Sequence, residues 1–343
     1  MKYFWLISGI VAADIKYTWN YPTIPDKVPE VNAAFVNAFD PQISNLTNGP
    51  PITFEKYGCN QVNEWALTFD DGPGPSTISV LDELKSRNLK ATFFVKGQQA
   101  IRYPEILKRI FKEGHEIGIH TWSHPQLFTL KNSQVITEAM YTHQIIKDIL
   151  GVSCKYFRPP FGSSDNRVRG VLELMGFVVV RWNRDTKDWS GPVLKANMDR
   201  WIAEPITHGS ISLEHDLFPD AASQAPYAMN VLQKSKYALR TVSQCIGITP
   251  YGELNYKRAL VANETIKPVT FPSIAVPTGV AFATTITWGV AHTKTATATV
   301  QAAKTSVNEI PSPAPAPTSY GKNYGTITQV PTFLFPLLAL ICL

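Results

Sequence analysis

The 343-residue chain is poor in charge. Lys, Arg, Asp and Glu make up 17% of it and the formal net charge is only +5, where about 25% charged residues is usual for soluble domains. That is too little for a nucleic-acid-binding surface, so no nucleic-acid partner is expected. Long apolar runs are equally scarce. The apolar stretch at 330–343 contains two prolines and is shorter than the roughly 20 residues a transmembrane helix needs. Cysteine is sparse too, with only Cys59, Cys154, Cys245 and Cys342. A Cys59–Cys245 bridge would close the folded region near both its ends and leave Cys154 free or buried, but spacing alone does not fix the pairing. What the chain does have is a 44% apolar fraction, enough to build a core and to exclude a wholly disordered or collagen-like chain.

The ends differ in kind from the middle. A basic Met1-Lys2 precedes the apolar run Tyr3 to Ala13, and Val11-Ala12-Ala13 offers small residues for cleavage. Residues 1–13 therefore read as a signal peptide. Residues 14–63 form a Pro- and Asn-rich lead that either packs on the following domain or links to it. Residues 261–329 are rich in Thr and Pro with only Glu264 and Glu309 as acids, a composition that cannot bury enough apolar surface to fold and reads as an O-glycosylated stalk. Small residues at Ser319, Gly321, Asn323 and Gly325, a polar spacer and the tail 330–343 follow the order of a glycosylphosphatidylinositol (GPI) attachment signal. These features predict a secreted monomer held at the plasma membrane through a lipid anchor, in the cell wall, or both. Asn45 and Asn263 head N-glycosylation sequons.

Residues 64–250 alternate short β-branched or aromatic runs with longer helical patterns, and form the predicted catalytic domain. Strands are expected at Trp65–Phe69, Ala91–Val95, Glu116–Ile119, Lys155–Phe157, Phe177–Trp182 and Ser210–Leu213. The best helix runs from Gln134 to Leu150 and stops at Gly151. Repeated βα units imply a mainly parallel sheet, open or closed into a barrel. Polar clusters follow five of the strands, as they do where the loops of a βα-barrel converge on one face.

Asp70-Asp71 and His120-x-x-x-His124 supply the oxygen and imidazole ligands that suit zinc or a similar divalent ion with one position left for water. One aspartate suffices as ligand, which frees the other to take a proton from that water. Arg158 could pair with this base and hold it ionised. His215 is the natural acid for a leaving group, and a carboxylate such as Asp185 beside it would favour the imidazolium. An amine leaves only when protonated, so the set suits amide hydrolysis. A zincin metalloprotease is excluded, because the first histidine of the pair is not followed by the glutamate those enzymes use as base. His115, His143, His208 and His292 read as structural or solvated, and Trp122 is expected to shape a sugar groove or, alternatively, to pack in the core.

TFDDGP, HTWSH, RPPFG, DTKDW and LEH, in this order, resemble the five motifs of the polysaccharide deacetylases (carbohydrate esterase family 4, NodB homology domain), in particular their fungal chitin deacetylase branch. The resemblance implies an α/β fold, a distorted, incomplete TIM-like (β/α) barrel of about seven strands. It also implies removal of N-acetyl groups from chitin or chitin oligomers, giving chitosan and acetate in wall formation or remodelling, with Zn2+ or Co2+ as cofactor. By motif, Asp70 would be the base and Asp71, His120 and His124 the metal ligands. Arg158 would orient the base and Asp185 would tune the acid His215. Trp189 and Leu213 would wall the acetyl pocket. Phe161 stands where relatives often carry tyrosine, and its backbone amide would help hold the oxyanion, a role that needs no ring hydroxyl. Other readings are a deacetylase of acetylxylan or peptidoglycan, or a non-catalytic carbohydrate-binding wall protein, against which the intact residue set argues.

Overall fold

A computed structural model describes residues 15–48 and 55–257. The expected signal peptide, Asn263, the stalk and the apolar tail lie outside the described residues.

Nine short strands carry the fold: β1 (Glu64–Ala66), β2 (Thr68–Asp70), β3 (Thr92–Val95), β4 (Glu116–Ile119), β5 (Tyr156–Phe157), β6 (Val178–Val179), β7 (Arg184–Asp185), β8 (Ser210–His215) and β9 (Ala238–Arg240). They pair in the order β6-β5-β4-β3-β2-β8-β1-β9, with β7 against β8, and every ladder is parallel. No ladder among the described residues joins β6 to β9, so the barrel is incomplete. The helices between strands cover the outside. β3 and β4 are buried at every position, as expected of parallel strands with both faces covered.

Alternation along the strands builds two layers. Ala66, Phe94, Tyr156, Val180 and Ile211 point inward and pack on one another. Trp65, Phe69, Phe93, Ile117, Ile119 and Phe157 point outward beneath the helices. Continuing the inward alternation along β2, β4, β5 and β8 to the strand ends reaches Asp70, His120, Arg158 and His215. The same period that fills the barrel thus delivers the chemistry to its upper end.

The strand expected at Trp65–Phe69 is divided at Leu67, where the segment changes neighbours. β1 pairs with β8 and β9, while β2 pairs with β8 and β3. The strand expected at Phe177–Trp182 shortens to β6, because Val180 and Arg181 turn to Lys56 of the preceding segment. β7 and β9, two and three residues long, lie where no strand was expected.

The long helix runs Asn132–Leu150 and ends at Gly151, whose φ of 74° is left-handed and whose N–H donates to the Lys147 carbonyl at 2.8 Å. It is buried on nearly all sides because residues 15–48 cover the face turned away from the barrel. Trp19, Phe35, Phe39 and Ile43 are each at most 2% exposed. Asp148 accepts from Thr18 N, Thr18 Oγ1 and Tyr21 Oη, all at 2.7 Å, and Asn132 Nδ2 donates to the Ile43 carbonyl at 2.9 Å. Burial of each large side chain is worth about 1.5–3 kcal/mol, so this lead is part of the domain and not a linker. Asn45 is exposed at the end of the short helix Pro41–Ser44.

Cys59 and Cys245 form a disulfide. Cys154 is free and buried, and burial pushes its thiol up, away from the reactive thiolate.

Candidate active site

The strand ends hand their residues to the site through the sheet itself. The N–H of Asp71 donates to Phe94 O, that of His120 to Val95 O and that of Arg158 to Ile119 O, at 3.2, 2.9 and 2.9 Å. Each is a last rung of a ladder, so these side chains stand on rigid backbone. Beyond the ladders the chain bends sharply. Asp71, Thr121, His124, Phe161 and Lys187 all have left-handed φ between 57° and 81°, a conformation costly for non-glycine residues and concentrated at functional sites.

Asp70 is 1% exposed and its Oδ1 accepts from Arg158 Nη1 at 2.8 Å. Burial raises its carboxyl and the Arg158 and His215 charges oppose this, leaving it at about 6. Arg158 is fully buried, with its other donors on Thr68 Oγ1, Val180 O and Arg181 O and its guanidinium 3.9 Å above the Phe94 ring. A guanidinium held at this many points cannot swing away from the base.

Asp71, His120 and His124 present ligand atoms that all lie within 4.8 Å of one another. His120 Nδ1 bonds to the Arg158 carbonyl at 2.7 Å. A carbonyl only accepts, so the proton is on Nδ1 and the Nε2 lone pair faces Asp71. Burial lowers both imidazoles, His120 strongly. For Asp71, burial acts upward but is outweighed by His124, His120, His215 and Lys96, and the carboxyl stays low. Asp71 Oδ1 is 3.2 Å from His124 Nε2 and 3.7 Å from His120 Nε2, yet it is buried without a hydrogen bond. A buried carboxylate oxygen without a hydrogen bond, facing two imidazole nitrogens, fits a divalent cation.

His215 ends β8. Its ring Nδ1 and its backbone N–H both donate to the Asp188 carboxylate, at 2.7 and 2.6 Å. Burial works against the charged ring, but Asp188 outweighs it and lifts His215 to about 9. The partner expected at Asp185 is therefore corrected to Asp188. Asp185 Oδ1 instead accepts the Lys187 N–H at 3.0 Å. That turn, with Lys187 at φ 57°, swings Asp188, 2% exposed, beneath the imidazole. Both acids lie in the DTKDW cluster, and pairing order could not separate them; the one preceding Trp189 is inside.

For Trp122 the packing alternative holds. It is fully buried and stacked on Tyr21 at 5.6 Å between ring centroids, so it supports the lead and lines no groove. Phe161 is 62% exposed, and its ring stands edge-on to His124 at 4.6 Å. Trp189 is 61% exposed, and Leu213 is buried on β8 between the inward Ile211 and His215. His115 and His143 are buried, with Nδ1 on Ala91 N and Cys154 O. Desolvation holds both at about 4, consistent with structural roles.

Two buried carboxylates outside the expected set hold the loops. Glu138, on the long helix, accepts from Trp122 N, Ser123 N and Ser123 Oγ at 2.7, 2.9 and 2.5 Å, and so clamps the loop between the two histidines. Asp216 accepts from Gly72 N at 3.0 Å and Thr77 Oγ1 at 2.6 Å. A Cβ on Gly72 would lie 2.2 Å from Asp216 Oδ2, which explains the glycine after the two aspartates.

Fold and site together define a candidate metal-binding carboxylate–histidine cluster at the end of an incomplete parallel barrel. Residues 57–180 match the family of polysaccharide deacetylases. Chitin deacetylase 1 of Cryptococcus neoformans var. grubii is 37% identical over 211 residues, 55% of this chain and 45% of that protein. Chitin deacetylase 1 of Saccharomyces cerevisiae is 34% identical over 216 residues, 59% of this chain and 69% of that one. The solved structure of the chitin deacetylase from Colletotrichum lindemuthianum superposes with a TM-score of 0.55 at 30% identity, covering 59% of this chain and 97% of that one. Bacterial peptidoglycan deacetylases are also among the similar proteins. The chain belongs to the polysaccharide deacetylase family. It spans about half the length of the first curated relatives it matches.

Proposed function

We propose that this protein is a metal-dependent chitin deacetylase, converting N-acetylglucosamine units of chitin to glucosamine and acetate. The observation that carries the reading is the juxtaposition of the Asp71-His120-His124 set with an arginine-held carboxylate, Asp70, and a carboxylate-held imidazole, His215. Similarity to fungal chitin deacetylases supports the choice of polymer.

Asp71, His120 and His124 would hold the ion, zinc or cobalt by donor type. When bound it would polarise the acetyl carbonyl and acidify water. Asp70 accepts a proton from the attacking water, whose oxygen bonds to the acyl carbon. Arg158 keeps that carboxylate aimed and favours its ionised form, so that Asp70 gives the proton up to solvent before the next turnover. The C–N bond then breaks with its electron pair on nitrogen, and the His215 imidazolium supplies the proton that lets the amine leave. Asp188 fixes the ring so that Nδ1 faces the carboxylate and Nε2 faces the substrate. Phe161 would contribute its backbone amide to the developing oxyanion, and Trp189 and Leu213 would wall the methyl group. Phe161, Trp189 and Phe218 are more than 60% exposed, and all three belong to the site's loops, where such rings suit the apolar faces of sugars.

We also infer export and lipid anchoring outside the cell, a reading supported by the Cys59–Cys245 disulfide and the Thr/Pro-rich composition of the stalk. Acetate release from chitin oligomers, acetylxylan and peptidoglycan fragments, with and without chelator, tests the function. Chelator-sensitive release from chitin oligomers is expected. Preference for either other polymer would replace the substrate, and release from none would leave a carbohydrate-binding wall protein.

A further inference from the structure

The inward layer that supplies Asp70, His120, Arg158 and His215 has a contribution from β3 as well. Phe94 points inward, and Lys96 follows two residues later with extended backbone, φ −79° and ψ 135°, so the alternation carries its side chain to the same upper end. The backbone there is braced by both metal-site loops. Lys96 N donates to Gly72 O at 3.1 Å and Gly97 N to Thr121 O at 3.0 Å. A Cβ on Gly97 would lie 2.2 Å from the Trp122 ring, which leaves this segment no freedom to move outward.

Lys96 is 8% exposed, and its ammonium has no hydrogen-bond or ion-pair partner among the described residues. Its charge is felt at Asp71, His124 and Glu138. Lysine is almost never this buried without a partner. The neighbouring carboxylates are committed elsewhere: Asp70 to Arg158, Asp188 to His215, Glu138 to the loop donors, and Asp71 to the metal set. Once a divalent ion occupies that set, Lys96 is a second positive charge felt at the same ligands, Asp71 and His124, with no hydrogen-bond or ion-pair partner of its own. Such a site calls for an anion.

We propose that Lys96 is an anion-binding residue of the active site, whose ammonium holds the carboxylate of the acetate product next to the metal. This rests on the deacetylase reading for the identity of the anion. The residue touches the product and not the amide nitrogen, so its effect falls on acetate retention and on the charge felt by the metal.

Lys96→Met, which keeps the stem and removes the charge, and Lys96→Arg, which keeps the charge, are compared with the parent chain by circular dichroism and two titrations. In the zinc-loaded protein, sodium acetate is titrated calorimetrically. Lys96→Met should bind acetate about tenfold more weakly, and Lys96→Arg should stay within about threefold of the parent. In the metal-free protein, zinc affinity is measured by chelator competition. Lys96→Met should bind zinc about threefold to tenfold more tightly, because a like charge is gone. Unchanged acetate affinity in a folded Lys96→Met protein overturns the proposal, as does a parallel loss of zinc and acetate, which would mark a structural lysine. A Lys96→Met chain that does not fold passes the decision to Lys96→Gln in the same titrations. Absence of acetate release from chitin oligomers, with acetate binding still dependent on Lys96, would instead remove the substrate reading and leave the anion site standing.

Discussion

Asp188→Asn should move the basic limb of the activity profile. His215 must carry a proton to release the amine, and its value of about 9 keeps it protonated through neutrality. The acid form, and with it activity, is lost as pH rises through that value. Without the carboxylate, burial leaves the ring at or below the ordinary value of about 6.5. The difference corresponds to roughly 3 kcal/mol of interaction. At about pH 8 the protonated fraction falls from about nine-tenths to about one-thirtieth, a loss near thirtyfold. At about pH 5.5 both proteins are protonated. What remains there is the lost second acceptor, since an amide offers one oxygen to the ring and backbone donors that the carboxylate meets with two; this costs about 1 kcal/mol. The raised value also makes the pair stabilising below about pH 6.5, a contribution lost as pH rises through about 9. The assay is initial acetate release from chitin oligomers between about pH 5.5 and 9.5, with Asp185→Asn as the control. A basic limb unmoved in Asp188→Asn, or displaced in Asp185→Asn, would refute the pairing.

Asp70→Asn should lower turnover by about a hundredfold or more while metal content measured by emission spectroscopy stays near one ion per chain; wild-type acetate release would show the base is another group. Asp71→Ala and His120→Ala should lose the metal itself, read by the same measurement. Arg158→Ala leaves the buried Asp70 carboxylate without its cation, and a thermal melt should report about 3–5 kcal/mol of lost stability. Glu138→Ala strands three donors in the histidine loop, each worth about 1 kcal/mol or more, and should weaken zinc binding at least tenfold in chelator competition. Unchanged zinc affinity would mean the loop holds its own shape.

The residues at strand ends were legible because the chemistry is confined to short motifs and the strands before them follow a period of two. The same logic singled out Asp70, Asp71, His120, His124 and His215, which the fold brings to one end of the barrel. It failed at Asp185, because the choice between two acids three residues apart depends on a turn whose left-handed residue is Lys187, a type that gives no warning of positive φ. It left Trp122 between groove and core, because an aromatic inside a motif cannot be assigned to either without knowing that residues 15–48 fold back over it. Glu138 and Asp216 were illegible for a related reason: their roles are contacts across the chain, to Trp122 and Ser123 in one case and to Gly72 and Thr77 in the other. β7 and β9 are too short to show any period.

The carboxylates of this site divide by what they face, and the division explains how a chain with so little charge sustains charged chemistry. Asp70 and Asp71 face the space between the loops. Glu138 and Asp216 face away from it, each absorbing backbone N–H groups that the left-handed turns leave without secondary-structure partners. Burial raises both of these acids, Asp216 to about 7, and their donors oppose that rise. A loop tied to a buried carboxylate cannot open without stranding the acid and its donors together. The lead completes the arrangement from outside, since Tyr21 stacks on Trp122 and its hydroxyl bonds to Asp148 on the helix that also carries Glu138. Loss of the lead would therefore expose Trp122 and loosen the clamp on the two histidines, so residues 15–48 belong to the metal site's support as much as to the domain's core.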